Sequence, residues 1–206
     1  MKVMAIVAHP DLENSRVNSA WLKALLGNGN VTVVNLTEKY PDMKVDIFEE
    51  QMRLLEHDRI VFVFPLYWYS CPPILKAWLD DVLQPGFAYA NEGDKLQGKE
   101  FIICTSIGGP QEGYRAGGHA NFTLDELLRP LQQTVLYVGG KYLTPFCFYR
   151  SMVATDAEIQ EAAQQLLYYV LTPDIDPRKV HDDFSNESIQ IIFARHELQE
   201  SLSPVV

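Results

Sequence analysis

The sequence of 206 residues is poor in cysteine, poor in basic residues, and has no apolar run long enough to cross a bilayer. Each shortage removes a class of protein. Three cysteines (Cys71, Cys104 and Cys147), odd in number and widely spaced, do not make a disulfide framework. Two of them lie inside strand-like apolar runs, which predicts reduced, mostly buried thiols in a cytoplasmic protein. With 17 basic against 27 acidic residues the net charge is -10, so attraction to nucleic acid or to an anionic membrane surface is not expected. The opening MKVMAIVAHP is too short an apolar run for a secretory signal and leads directly into polar DLENS. N-x-[ST] matches at Asn30, Asn35, Asn121 and Asn186 therefore read as chance. Also missing are G-x-G-x-x-G and G-x-x-x-x-G-K-[ST], which disfavours a tightly held dinucleotide of Rossmann type. Phosphate binding through helix N-terminal amides needs neither motif nor a basic surface, and stays open.

What is present is ordinary globular composition, 47% apolar and 21% charged, in a chain suited to one sizeable domain. Five β-rich runs stand out: KVMAIVA, VTVVNL, RIVFVFPL, EFIICTSI and YLTPFCFY. The continuous Val, Ile and Phe of the third and fourth predict strands covered on both faces, hence a parallel sheet. Between the runs, helical spacing is legible in Val17, Ala20, Trp21, Ala24 and Leu25, in Leu75, Trp78, Leu79 and Val82, and in Leu124, Leu127, Leu128 and Leu131. Thr123 with Glu126 and Thr155 with Glu158 have capping-box spacing and mark two further helix starts. Five strands alternating with five helices predict an α/β fold, a flavodoxin-like doubly wound five-stranded parallel sheet with helices on both faces. The domain is expected over residues 1–171. Residues 172–206, with Pro173, Pro177 and the cluster Ile189, Ile192 and Phe193, read as an extension packed on the body or on a partner subunit.

In such a sheet the ligand lies beyond the strand C-termini, so the segments after strands one, three and four matter most. After strand one, AHPDLENSRVNSAW offers His9, two candidate N-caps in Asn14 and Ser15, and Asn18 in the first helical turn, a turn able to cradle phosphate. After strand three, Tyr67, Trp68 and Tyr69 stand where a loop is normally polar, which points to a flat ligand or an apolar partner surface. After strand four, TSIGGPQEGYRAGGHANF supplies the hydroxyls of Thr105 and Ser106, the close backbone approach allowed by Gly108 and Gly109, and Tyr114 and His119. A Tyr and a His together can donate a proton to, or stabilise, an oxygen that becomes negative. Trp78 belongs to a buried stripe, and Asp80 and Asp81 read as a solvated face with no metal-ligand spacing around them.

The stretches AIVAHP, NSRVN, YPDMKVDIFEEQ, FPLYWYSCPPILKAWLDDVLQPGFAY, LQGKEF, TSIGGPQEGYRAGGHANF and LRPLQQTVLYVGGKYLTPFCFY, in that order, resemble the NAD(P)H quinone oxidoreductases of flavodoxin-like fold. The nearest branch by resemblance holds bacterial general stress proteins and the ancillary oxidoreductases of glutathione-gated potassium efflux systems. The resemblance implies a homodimer with a noncovalent flavin, FMN or alternatively FAD. NAD(P)H would reduce it, and a quinone, or an azo or nitro compound, would reoxidise it. By position, His9, Ser15, Val17 and Asn18 would hold the flavin phosphate and ribityl chain. Pro65, Leu66, Tyr67, Trp68 and Tyr69 would line the isoalloxazine, largely through backbone atoms. Thr105, Ser106, Ile107, Gly108 and Gly109 would close its pyrimidine side, with TSIGG standing where relatives often carry two threonines. Tyr114 and His119 would stabilise charge during hydride transfer. Two other functions fit the same resemblance: a regulatory subunit of a potassium efflux transporter, and a flavodoxin-type electron carrier.

Overall fold

The five apolar runs assemble into one parallel sheet in the computed structural model, which describes residues 1–173 and residue 175. Its strands are β1 (Val3–Val7), β2 (Val31–Asn35), β3 (Arg59–Pro65), β4 (Glu100–Ser106), β5 (Lys141–Tyr142) and β6 (Phe146–Phe148), in the order β2-β1-β3-β4-β5 with β6 also on β4. Every pairing is parallel. The helices are α1 (Arg16–Leu26), a four-residue α2 (Leu36–Lys39), α3 (Ile47–Glu56), α4 (Pro73–Val82), α5 (Leu124–Tyr137) and α6 (Asp156–Leu171).

Strand alternation divides the core into two layers. Met4, Ile6, Ile60, Phe62, Phe64, Phe101 and Ile103 pack with Leu54 of α3, Leu75 and Trp78 of α4, and Leu124 and Leu128 of α5. On the opposite face α1 lies against α6, and Trp21 meets Phe146 and Phe148 edge-on at 5.7 and 6.3 Å. Both predicted capping boxes form, at Thr123 and Thr155. All three cysteines are free, Cys104 fully buried and Cys71 and Cys147 partly so.

The fifth run is not one strand. Between the pairs Phe101↔Tyr142 and Cys104↔Phe146, β4 advances three residues and its neighbour four, so one residue is extra. That count is a bulge, and Pro145, with no N–H for the ladder, falls inside it. The expected extension over 172–206 lies outside the described residues except for Thr172, Pro173 and Ile175.

At the N-terminal edge of the sheet the buried Arg59 and His57 find partners, while Arg53 Nε beside His57 is buried without one. Arg59 has no exposed surface, and its Nε and Nη2 donate to Glu100 Oε2 at 2.9 and 2.6 Å. Its Nη1 donates to the carbonyls of Val170 and Thr172 at 2.8 and 2.7 Å, satisfying the C-terminal carbonyls of α6. His57, also buried, lies between the Arg53 carbonyl (2.6 Å) and the Thr32 hydroxyl (2.8 Å). Within the α3–α4 layer the buried Glu50 carboxylate accepts from Tyr40 Oη (2.9 Å), Trp78 Nε1 (3.0 Å) and Lys39 Nζ (3.0 Å), tying α4 in place below the aromatic loop.

Candidate functional site

At the C-terminal edge the loops after β1, β3 and β4 meet, joined by the turn that follows β6. In the first, Ser15 rather than Asn14 caps α1, its hydroxyl accepting from the Asn18 amide at 3.1 Å, while Asn14 is tied back to Asp11. Val17 and Asn18 are both buried, so of Val17 only the backbone can serve a ligand. Asn18 Nδ2 donates to Ser106 Oγ at 2.8 Å, linking the first loop to the end of β4. Its Oδ1 is buried without a partner, and so is the hydroxyl of Thr105. Buried polar atoms are seldom left unpaired, and these two, at the start of α1 and the end of β4, are among five such atoms in the described residues, with Trp21 Nε1, Asn35 Oδ1 and Arg53 Nε. His9 accepts the Asp11 amide on Nδ1 at 3.0 Å and is half-buried, and burial lowers its pKa.

The aromatic loop closes as a tight turn. Tyr67 and Ser70 exchange amide-to-carbonyl bonds at 2.8 and 3.0 Å, and the two residues between them, Trp68 and Tyr69, take positive φ of 47° and 63°. Bulky residues avoid that region, so the turn is held against a conformational cost of order 1–3 kcal/mol per residue. It leaves the amides of Trp68 and Tyr69 without a partner among the described residues and Trp68 86% exposed.

Backbone accounting narrows the expected lining. Leu66 N–H donates to the Ser106 carbonyl, Tyr67 N–H to Ser70 and Ile107 N–H to the Phe148 carbonyl, each at 2.8 Å, while Pro65 has no N–H. The donors left over from the positions expected at the ring are the amides of Trp68, Tyr69, Gly108 and Gly109. Leu66 and Ile107 have no free N–H to offer.

Tyr114 and His119 come together as expected, their rings 5.6 Å apart at 73°. The role of Gly109 differs from the one expected. A Cβ there would lie 3.0 Å from His119 Nε2 and 3.3 Å from Tyr114 Cε2, so the missing side chain makes room for those two rings. Gly113 is tighter still, since a Cβ would fall 2.1 Å from the His119 ring. At Gly108 a Cβ would meet only the Met152 side chain, at 3.4 and 3.6 Å, in ordinary van der Waals contact.

The turn after β6 was not among the expected site segments, although it too follows a strand C-terminus. Tyr149 lies 5.9 Å from Tyr114, Arg150 N–H donates to the Gly109 carbonyl at 3.0 Å, and Ser151 N–H to the Ile107 carbonyl at 2.9 Å. Burial raises the phenol of Tyr114, with a smaller contribution from Tyr69, and pushes Tyr149 up to about 12. Both phenols are therefore neutral hydrogen-bond donors at physiological pH. Arg16, in the first turn of α1, is engaged by Asp156 at 2.6 Å. No group of three or more potential metal ligands occurs among the described residues.

The chain is similar to known proteins over most of its length. A family model described as flavodoxin-like fold matches residues 1–170. The uncharacterized NAD(P)H oxidoreductase YdeQ of Bacillus subtilis (strain 168) is 44% identical, over 86% of this chain and 90% of its own. The glutathione-regulated potassium-efflux system ancillary protein KefG of Cronobacter sakazakii is 39% identical, over 84% and 95%. Among solved structures, the general stress protein 14 of Treponema denticola in complex with FMN superposes with a TM-score of 0.79 at 37% identity, over 82% of this chain and 98% of its own. An NADPH-quinone reductase from P. pentosaceus gives 0.76 at 31%, over 84% and 99%. A protein described as a thermophilic tryptophan halogenase gives 0.80 at 45%, over 82% and 99%.

Proposed function

This chain belongs to the flavodoxin-like fold family whose model spans residues 1–170, and from that premise we propose that it is a flavin-dependent NAD(P)H:quinone oxidoreductase. The observation that carries the reading is the donor and acceptor set at the C-terminal edge. Free amides at Trp68, Tyr69, Gly108 and Gly109 and the orphaned Asn18 Oδ1 and Thr105 Oγ1 suit a flat heterocycle edged with both donors and acceptors. FMN fits that set, and relatives named as NAD(P)H oxidoreductase and as an FMN complex support it. When bound, FMN supplies the two-electron carrier between NAD(P)H and quinone.

The chain's own residues do the rest. Ser15, Val17 and Asn18 present the first turn of α1 to the phosphate, with His9 beside it. The strained aromatic turn holds two amides at the ring, and a fixed donor needs no reorganisation when charge develops on its partner. Tyr114 and His119 flank the open side, where a neutral phenol and an imidazole stabilise a developing oxyanion and deliver a proton to it. The aromatic rim favours planar acceptors without strong discrimination, so azo and nitro compounds are further substrates.

The protein acts as a cytoplasmic homodimer. Among the described residues no helix is long and apolar enough to cross a membrane, while Trp68, and Phe48, Met52 and Leu55 spaced along α3, offer exposed apolar surface. The likeness to KefG favours a second role, docking to a potassium efflux transporter. Co-purification with such a transporter's cytosolic domain tests it.

The decisive experiment is anaerobic: FMN-loaded protein is mixed with NADPH and then with menadione. Bleaching of the flavin band by NADPH and its return with menadione are expected, whereas a band that stays oxidised refutes the reading. His119→Ala is expected to lower turnover while flavin stays bound. Gly113→Ala, whose methyl group must displace the His119 ring, is expected to lower it in the same way. Unchanged kinetics in both would remove His119 from the reaction.

A further inference from the structure

Most cations of the described chain that lie near an acid are paired with it: Arg16 with Asp156, Lys39 with Glu49 and Glu50, Arg53 with Glu49, Arg59 with Glu100, Lys76 with Asp80. Two exposed arginines at the crevice are not. Arg115 and Arg150 form no ion pair and no side-chain hydrogen bond among the described residues, in a chain with ten more acids than bases. Each directly follows a tyrosine of the contacting pair, Tyr114 and Tyr149, whose rings are 5.9 Å apart. The two arginines are thus chain neighbours of the pair that borders the open side of the crevice.

Arg150 is also held in an unfavourable conformation. Its φ is +56°, fixed by its own amide on the Gly109 carbonyl and by its carbonyl, which accepts from Val153 and Ala154. A residue of that kind in that region costs energy that the fold must supply, and such outliers gather at binding sites. The acids nearby do not neutralise the pair. Glu158 Oε2 accepts from both the amide and the hydroxyl of Thr155, bonds that chiefly lower its pKa, and Arg150 contributes only a minor, through-space part without an ion pair. Glu112, in the turn before Tyr114, makes no ion pair. An unpaired arginine presents a planar fork of donors suited to a phosphate dianion, which lysine does not match.

We propose that Arg115 and Arg150 form a clamp for the 2′-phosphate of NADPH and make the protein prefer NADPH to NADH. This rests on the reductase reading, because it assigns the hydride donor of the same crevice. The clamp leaves the reaction itself untouched and acts on the part of the donor that NADH lacks.

The test separates the two. Flavin-loaded protein is titrated calorimetrically with adenosine 2′,5′-bisphosphate and with 5′-AMP, which carry no hydride. The wild type is expected to bind the bisphosphate about tenfold or more tightly than 5′-AMP, the scale of one or two charge-assisted hydrogen bonds. In Arg115→Ser/Arg150→Gly that difference is expected to vanish with 5′-AMP binding unchanged, glycine at 150 tolerating the positive φ. Arg150→Lys should retain part of it. In turnover, kcat/KM for NADPH should fall about tenfold in the double variant and that for NADH should not change. Equal binding of the two nucleotides by wild type, or a preference that survives in the double variant, overturns the clamp. A parallel fall for NADPH and NADH overturns it as well, since it would place the arginines on a group the two donors share. A flavin that neither donor reduces would refute the reductase reading, yet the calorimetric comparison would still decide the clamp.

Discussion

The two ends of one sheet are built on opposite terms. At the N-terminal edge a fully buried arginine, a buried histidine and the carbonyls at the end of α6 are matched within the protein: Arg59 serves Glu100, Val170 and Thr172, and His57 serves Arg53 and Thr32. At the C-terminal edge Asn18 Oδ1 and Thr105 Oγ1 are buried and unmatched, four loop amides are free, and Trp68, Tyr69 and Arg150 sit at positive φ. Apart from Arg53 Nε, buried without a hydrogen bond beside His57, the strands thus end in satisfaction on one side and in deficit on the other. Unmatched buried groups and strained turns at one edge are what a fold gives up in stability where it is shaped for binding.

The largest expected effect lies at the satisfied end. Arg59→Met would strand the Glu100 carboxylate and two carbonyls and is expected to destabilise by about 3–5 kcal/mol, read by denaturant unfolding. Flavin affinity of the folded protein should be unaffected. Adding Glu100→Leu should recover the part of the loss that comes from the stranded carboxylate, while the part from the Val170 and Thr172 carbonyls remains. A single variant as stable as wild type would dissolve the contrast.

The sign should reverse at the deficient end. Thr105 Oγ1 has no partner in the protein, so Thr105→Val removes an unpaid desolvation penalty. The apo protein should gain about 1 kcal/mol while FMN affinity drops, seen by apo-protein melting and by fluorescence titration of FMN. If the apo protein is instead destabilised, the hydroxyl has a role within the fold and is not reserved for a ligand.

Much of this contrast was legible in the residues, and its exceptions have physical reasons. Continuous apolar runs gave β1, β3 and β4, and the capping boxes at Thr123 and Thr155 gave two helix starts, because these signals are local. Tyr67 to Tyr69, Asn18 with Ser106, and Tyr114 with His119 were expected at the crevice and are there. Which amides stay free was not legible. Leu66 and Ile107 lose theirs to neighbouring strand ends, a matter of register that sequence does not encode locally. Nor was it legible that Gly109 and Gly113 make room for the His119 ring, since that depends on how the loop folds back. The broken last strand did carry a signal in Pro145, and the buried Arg59 carried only its place at the head of an apolar run.

The smallest effect sharpens the contrast most finely, through His9. Burial lowers its pKa, opposed by the Asp11 carboxylate nearby, while the Asp11 amide donates to an Nδ1 that must be unprotonated to accept it. The folded state therefore releases the proton more readily than the unfolded chain, where histidine titrates near 6.5. The contribution is complete above about pH 6.5 and is lost as pH falls through the lower folded-state pKa, because protonation also removes the acceptor that Nδ1 offers Asp11. Melting of the apo protein from pH 7.5 down to 5.5 should thus show a small acid-side loss that His9→Gln lacks. Bound FMN should shrink that loss, since a phosphate beside the ring favours the imidazolium and raises its pKa. A loss of the same size with and without FMN would move the phosphate away from His9 and leave its site to the first turn of α1 alone.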